Sequence, residues 1–132
     1  MKTITVTRKK KFASAMMPYW IIVGVSKADF CAQHGLVGDA CEQSESGFPV
    51  ARIDMKILDE VGTRIGNGET VQIEIKEDDV TLFVSTVDGY LSNEVRIKNY
   101  ENNGMKLTVT TKGGFENLPH PVVVAASEVQ AP

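Results

Sequence analysis

The feature that most constrains the fold is a period-two alternation of apolar and polar residues, which recurs in short segments. The clear segments are residues 3–7, 71–76, 80–84, 95–97 and 105–109. Successive side chains of a β-strand point to opposite faces, so this alternation predicts strands with one buried face. Residues 55–58 alternate less cleanly and are also expected to form a strand. Residues 19–23 are apolar throughout, which predicts a central strand covered on both faces.

Turn sequences separate these predicted strands. Residues 67–68, 88–89 and 103–104 are Asn-Gly or Asp-Gly pairs, which adopt the positive φ that two-residue hairpin turns require. The glycine-rich stretch 62–68 is likewise expected to be a turn. Short strands at this spacing predict a mainly β fold, an antiparallel β-sandwich of about seven strands.

The chain length of 132 residues fits a single domain, 1–132. Residues 26–52 interrupt the strand pattern and predict one short helix followed by a polar loop. Ser26 can cap this helix with its side-chain oxygen, and Gly35 can end it. Long loops of this kind in compact domains often carry function.

The segment 115–132 is expected to be an extended tail, because Pro119 and Pro121 restrict the backbone around His120. Val122–Val124 is the predicted edge strand within it. This strand can pair within its own sheet or with another copy of the chain, and the sequence leaves both alternatives open.

The formal net charge of −3 gives no support to nucleic acid as a partner. The basic run Arg8–Lys11 is interpreted as a solvated hairpin end. The alternative is a membrane-surface patch that includes the neighbouring Phe12. We expect neither nucleic acid nor a membrane surface as partner.

The first residues alternate from Thr3 onward and show no apolar leader segment. We therefore expect a cytoplasmic protein in which Cys31 and Cys41 are reduced thiols. The alternative is a disulfide between the two cysteines in an exported protein.

Potential metal ligands concentrate in the excursion 26–52. Cys31 and His34 form one close pair, but Cys41 has no second member, whereas structural zinc sites usually use two pairs. A thiol nucleophile also needs a base and a group that orients it. We expect no catalytic residues and no cofactor, and keep a metal site at Cys31, His34 and Cys41 as the alternative.

Aromatic residues near the excursion give the candidate binding surface. Tyr19 and Trp20 are adjacent, so their rings point to opposite faces of a strand, and one of them can lie at the surface or beneath the excursion. Phe30 and Phe48 are the expected apolar anchors of such a surface. The expected acidic rim consists of Asp39, Glu42 and Glu45.

A turn pattern carries a family resemblance. Ile22-Val23-Gly24 is followed, beyond the excursion, by Gly62-Thr63-Arg64-Ile65-Gly66-Asn67-Gly68 and then an alternating strand. This pattern resembles small bacterial β-sandwich domains, including the PEGA type, over residues 1–24 and 53–112. The resemblance implies a sandwich with a binding or structural role and no catalytic residues.

The sequence therefore predicts a non-enzymatic binding or assembly module. Its expected partner is another protein or a second copy of the chain, which would give a homo-oligomer. The alternative function is a small thiol- or metal-dependent protein that uses Cys31, His34 and Cys41.

Overall fold

The computed structural model describes residues 2–10, 17–34, 53–87, 90–98, 105–112 and 120–125. Within these ranges the chain forms eight strands and two helices. The strands are β1 (Lys2–Arg8), β2 (Tyr19–Val23), β3 (Gly62–Ile65), β4 (Thr70–Ile75), β5 (Asp79–Ser85), β6 (Val95–Lys98), β7 (Lys106–Lys112) and β8 (His120–Ala125). The helices are α1 (Lys27–His34) and α2 (Met55–Val61).

The strands form two four-stranded sheets in a sandwich-like arrangement, which confirms the predicted fold class. Sheet A has the strand order β4-β1-β7-β8, and sheet B has the order β3-β2-β5-β6. Neighbouring strands are antiparallel except for β1 and β7, which pair in parallel. The predicted tail strand is β8, and it pairs with β7 of its own sheet.

The core between the sheets is built by alternate residues of each strand. Ile4 and Val6 of β1 are buried, whereas Thr3, Thr5 and Thr7, which alternate with them, face outward. Opposite them, Tyr19 of β2 is buried and its hydroxyl forms a hydrogen bond with that of Thr111 at 2.7 Å. The remaining buried members come from both sheets: Ile21, Ile65, Ile75, Val80, Leu82, Val84, Ile97, Met105, Leu107, Val109 and Val123.

A second core covers the other face of sheet B. Trp20, Ile22 and Phe83 point to this face and pack with Phe30 of α1 and Leu58 of α2. Strand β2 is therefore buried on both faces, as its unbroken apolar sequence predicted. The outer face of sheet A carries mainly threonines and charged residues instead.

Helix α1 confirms the predicted helix. The amide of Asp29 donates to the Ser26 hydroxyl at 3.1 Å, which is the expected cap. Gly35, the predicted end, lies outside the described residues.

Helix α2 corrects the predicted strand at 55–58. Asp54 caps it, because its carboxylate accepts from the amide of Lys56 at 2.8 Å. Leu58 is buried beneath the helix while Met55 and Ile57 are exposed. A single buried residue, Leu58, is what a short helix lying on sheet B requires. The alternation at 55–58 therefore did not indicate a strand.

The stretch 62–68 is also corrected in part. Its first four residues form strand β3 beside β2, so the turn is confined to the residues that follow. Gly68 has φ of +78°, which confirms the predicted left-handed turn position. The other two predicted Gly turns, at 88–89 and 103–104, lie outside the described residues.

Arg8 departs from the expectation of a solvated basic run. Its side chain is 1% exposed, and Nη1 donates to the carbonyl oxygens of Met17 and Ile65 at 2.7 and 3.1 Å. The guanidinium lies 3.7 Å from the centroid of the Tyr19 ring. Burial lowers the pKa of Arg8 below its ordinary value. The next two lysines are exposed, and the fourth basic residue lies outside the described ranges.

Candidate functional site

The aromatic side chains that the sequence suggested as a binding surface lie in the two cores. Tyr19 and Trp20 point to opposite faces as expected, but both are fully buried, and Phe30 is 1% exposed. Phe30 meets the Phe83 ring edge-on, with centroids 5.2 Å apart. These three rings hold the helices and sheets together instead of offering a surface to a ligand. Phe48 lies outside the described residues.

Trp20 has a specific partner at the edge of its core. Its Nε1–H donates to the carboxylate of Asp59 on α2 at 2.8 Å. Arg64 of β3 donates to both oxygens of the same carboxylate, at 3.2 and 2.9 Å. The hydrogen bond from Trp20, and then that from Arg64, holds the pKa of Asp59 below its ordinary value. This cluster fixes α2 on the sheet.

Cys31 and His34 belong to the inner side of α1. Cys31 is buried and disulfide-bonded, so the expectation of a reduced thiol is wrong at this position. The other cysteine of the chain, Cys41, lies outside the described residues, as do Asp39, Glu42 and Glu45. The His34 ring packs against that of Phe30 in a tilted arrangement, with centroids 4.4 Å apart and an interplanar angle of 56°. Across the described ranges, no three His, Cys, Asp or Glu side chains lie close enough to hold a metal.

A groove of about 510 Å³ lies beside the turn that follows β2, next to the paired strands β5 and β6. Its lining residues are Gly24, Glu77, Asp79, Val80, Thr81, Glu94 and Arg96. Arg96 donates to Asp79 at 2.9 Å, and this bond lowers the pKa of the carboxyl below its ordinary value. Glu94 accepts from the backbone amide of Lys27 at 2.7 Å. The carboxylates of Asp79 and Glu94 are thus bonded within the protein.

The outer edge of β8 is closed by a side chain. The amide group of Asn93 donates to the carbonyl oxygen of Val123 at 2.9 Å and accepts from its N–H at 2.8 Å. Backbone groups alternate in direction along an antiparallel strand, so residues 121, 123 and 125 face away from β7. Residue 121 is proline and has no N–H to offer. The predicted pairing of Val122–Val124 with another chain therefore has no vacant backbone groups at its centre.

The two edges of sheet B are short. Strands β3 and β6 have four residues each. Each carries an exposed arginine, Arg64 or Arg96, that is paired with an aspartate. Short strands and charged side chains are two ways in which proteins keep sheet edges from pairing with other chains.

The outer edge of β4 differs from the other three edges. The strand has six residues, Thr70–Ile75, and pairs with β1 on its inner side. The amide of Arg8 donates to the carbonyl of Glu69, so the odd-numbered positions of this segment bond to β1. The backbone groups of Thr70, Gln72 and Glu74 then point outward. Within the described part of the chain, no strand pairs with this side.

The side chains of β4 match this arrangement. Thr70, Gln72 and Glu74 are exposed on the outer face of sheet A. Val71 and Ile73 point toward the core but remain only half-buried, unlike Ile75. A strand added beside β4 would cover these two apolar side chains and bond the outward backbone groups. We define Thr70–Ile75 with its outward backbone groups as the β4 edge.

The sequence predicted the β4 strand but not its edge position. Alternation shows which side chains are buried, and it contains no signal for the spatial order of strands. The Asn93 contact that closes β8 joins positions 30 residues apart, and no local pattern marks it. The candidate site therefore became visible only in the sheet order.

No protein-family model, curated protein or solved structure matches the chain. Among the described residues, no helix has the length and apolar character needed to cross a membrane.

Proposed function

We propose that the protein is a non-enzymatic binding or assembly module that acts by strand addition at the β4 edge. One observation carries the proposal: β8 is closed by Asn93 and the sheet B edges are short, while β4 presents three residues with outward backbone groups. Natural proteins usually protect exposed edges. Among the described residues, β4 is the six-residue edge with no closing contact on its outward backbone groups, and an open edge of this kind is what a strand-binding surface requires.

The chemistry of such binding is supplied by the backbone. Each outward N–H and C=O of β4 can bond to an extended partner chain, and half-buried Val71 and Ile73 give the apolar contacts that select alternate side chains. This function needs no titratable group, metal or cofactor. The resemblance to PEGA-type domains implies the same kind of role and stays a prediction.

We infer an oxidising compartment for this module, in place of the cytoplasm expected from the sequence. The support is the disulfide at Cys31, because disulfides persist in oxidising compartments and are rare elsewhere. Alkylation of the unreduced protein from its source cells, carried out in denaturant so that the buried Cys31 is accessible, tests this inference. Cys31 should be protected from alkylation until a reductant is added, and labelling without reductant would contradict it.

Capture with matched baits tests the proposed function. The baits are the wild-type chain, Gln72→Pro and Gln72→Ala. The N–H of Gln72 points away from β1, so proline removes an outward donor without removing a bond inside the sheet. Alanine keeps the donor and serves as the control.

The expected result is that a partner retained by wild type and Gln72→Ala is lost from Gln72→Pro. In the isolated complex, amide exchange at Thr70, Gln72 and Glu74 should become slower than in the uncomplexed chain. Retention of the same partner by Gln72→Pro, or unchanged exchange at these amides, would show that the β4 edge is not the binding surface.

A further inference from the structure

We propose that the occupant of the β4 edge is the β4 strand of a second copy of this chain, in antiparallel pairing about a two-fold axis. This inference rests on the proposed function, since it names the partner of the same edge. It joins two copies of sheet A into one eight-stranded sheet, in which β4 is no longer an edge.

The pairing register follows from which residues face outward. In an antiparallel pair, outward residues must lie opposite outward residues to form both backbone bonds. A two-fold axis at Ile73 satisfies this condition. It places Gln72 opposite Glu74 of the second copy, and Thr70 opposite Lys76.

The same axis matches the buried face. Ile73 lies opposite its own copy, and Val71 lies opposite Ile75 of the second copy. The half-buried side chains of β4 are thereby covered by apolar side chains. Within residues 70–76, polar residues therefore lie opposite polar residues, and apolar residues lie opposite apolar residues.

Neighbouring registers are less favourable. An axis at Glu74 places two Glu74 carboxylates directly opposite each other, which is destabilising. An axis at Gln72 places the charged Glu69 opposite the buried Ile75. An axis at Val71 places Glu69 opposite Ile73. Of these four, the axis at Ile73 keeps Glu69 away from the apolar side chains and has no like-charge pair within Thr70–Ile75, since its Glu69–Glu77 pair lies beyond the strand ends.

Sedimentation of the purified full chain over a wide range of concentrations tests the proposal. The wild-type chain and Gln72→Ala should form a species of twice the 14.4 kDa monomer mass, and Gln72→Pro should remain at 14.4 kDa. A charge series then tests the register. Gln72→Lys places a lysine opposite Glu74 twice per dimer and should lower the dissociation constant about tenfold.

A glutamate at position 72 tests the register without relying on the proline variant. Gln72→Glu should weaken the dimer by a similar factor, and adding Glu74→Gln should restore it. With an axis at Gln72 instead, Gln72→Lys would weaken the dimer and Glu74→Gln would not rescue Gln72→Glu. Either of those results overturns the proposed register.

Failure of this inference is separable from failure of the proposed function. A wild-type chain that stays monomeric, while Gln72→Pro still loses a captured partner, overturns the dimer and leaves strand addition in place. A dimer that Gln72→Pro does not dissociate also overturns the inference, because the interface then lies elsewhere. If capture is insensitive to Gln72→Pro as well, the proposed function fails too.

Discussion

Single side chains at the borders of the two cores connect elements that are distant in sequence. Asp59 is the clearest case, since its carboxylate accepts from the buried Trp20 and from Arg64. Asn93 likewise joins distant elements, since its amide group donates to and accepts from the backbone of Val123 in β8. Each replaces bonds to water by directed bonds within the protein, and each therefore allows a local test.

The first prediction concerns acid stability and Asp59. Its folded-state pKa is lowered, so its stabilising contribution is complete above the unfolded value of about 3.9 and is lost as pH falls through the folded value. Asp59→Asn should therefore lose less stability than wild type between neutral pH and about pH 3. Urea unfolding followed by the fluorescence of Trp20, the single tryptophan, measures the difference.

Glu60 provides the control for this measurement, because it is an exposed carboxylate on the same helix. Glu60→Gln should keep the acid dependence of the wild type. An Asp59→Asn variant with an unchanged acid dependence would show that the cluster does not contribute to stability.

The second prediction concerns Asn93. Asn93→Ala leaves the N–H and C=O of Val123 without their partner and should lower the free energy of unfolding by about 1–3 kcal/mol. Amide exchange at Val123 should become faster. Asn93→Asp keeps the acceptor but turns a carboxylate oxygen toward the carbonyl oxygen of Val123, so it should also destabilise the protein. Unchanged exchange at Val123 in Asn93→Ala would contradict the closing role of this side chain.

At the scale of elements, α2 and β3 differ from their sequence-based expectations for a common reason. Both are fixed by packing against β2 rather than by their own sequences. Leu58 anchors α2 in the second core, and Gly62 begins β3 directly beside Ile22. The local alternation at 55–58 and the glycines at 62–68 contain no information about this neighbour.

The third prediction tests the anchor of α2. Leu58→Ala removes a fully buried side chain and should lower the free energy of unfolding by about 2–5 kcal/mol. Ile57→Ala, at an exposed position of the same helix, is the matched control and should have a much smaller effect. Chemical denaturation of both variants gives the comparison, and equal effects would contradict the position of α2.

The fourth prediction tests the close approach at Gly62. A Cβ there would lie 2.6 Å from Cδ1 of Ile22 and 2.9 Å from the carbonyl oxygen of Ile21. Gly62→Ala should therefore destabilise the protein by about 1–3 kcal/mol through overpacking. Gly66→Ala is the control, since its nearest contact would be a Glu69 side-chain atom at 3.8 Å. Thermal unfolding separates the two, and a neutral Gly62→Ala would contradict the contact.

At the scale of the whole molecule, the sheet edges determine where another strand can pair, and the disulfide constrains the chain around α1. Within the described residues, β8 is closed by Asn93 and the edges of sheet B are short, and we propose the β4 edge as the site of assembly. The disulfide at Cys31 ties α1, which covers sheet B, to another part of the chain.

The fifth prediction concerns this disulfide. Reduction should lower the free energy of unfolding by about 2–4 kcal/mol, since it restores conformational freedom to the unfolded chain. Urea unfolding with and without a reductant measures the effect. Cys31→Ser is the control and should not respond to the reductant. If the stability of the wild-type protein did not change with the reductant, the disulfide would have no structural role.

The sequence by itself determined the elements whose signal is local. Alternation located β1, β4, β5, β6 and β7, the continuous apolar run located β2, and Ser26 located the start of α1. These signals suffice because the side-chain period and the cap depend only on neighbouring residues. The mainly β fold followed from them.

Only the tertiary structure decided which residues carry the candidate function. Burial of Trp20 and Phe30 depends on the helices that cover sheet B, and burial of Tyr19 depends on sheet A, so aromatic character alone could not distinguish core from surface. The closing of β8 by Asn93 and the open side of β4 depend on strand order. Strand order is set by contacts between segments far apart in the chain, and the same alternating sequence fits a central strand or an edge equally well.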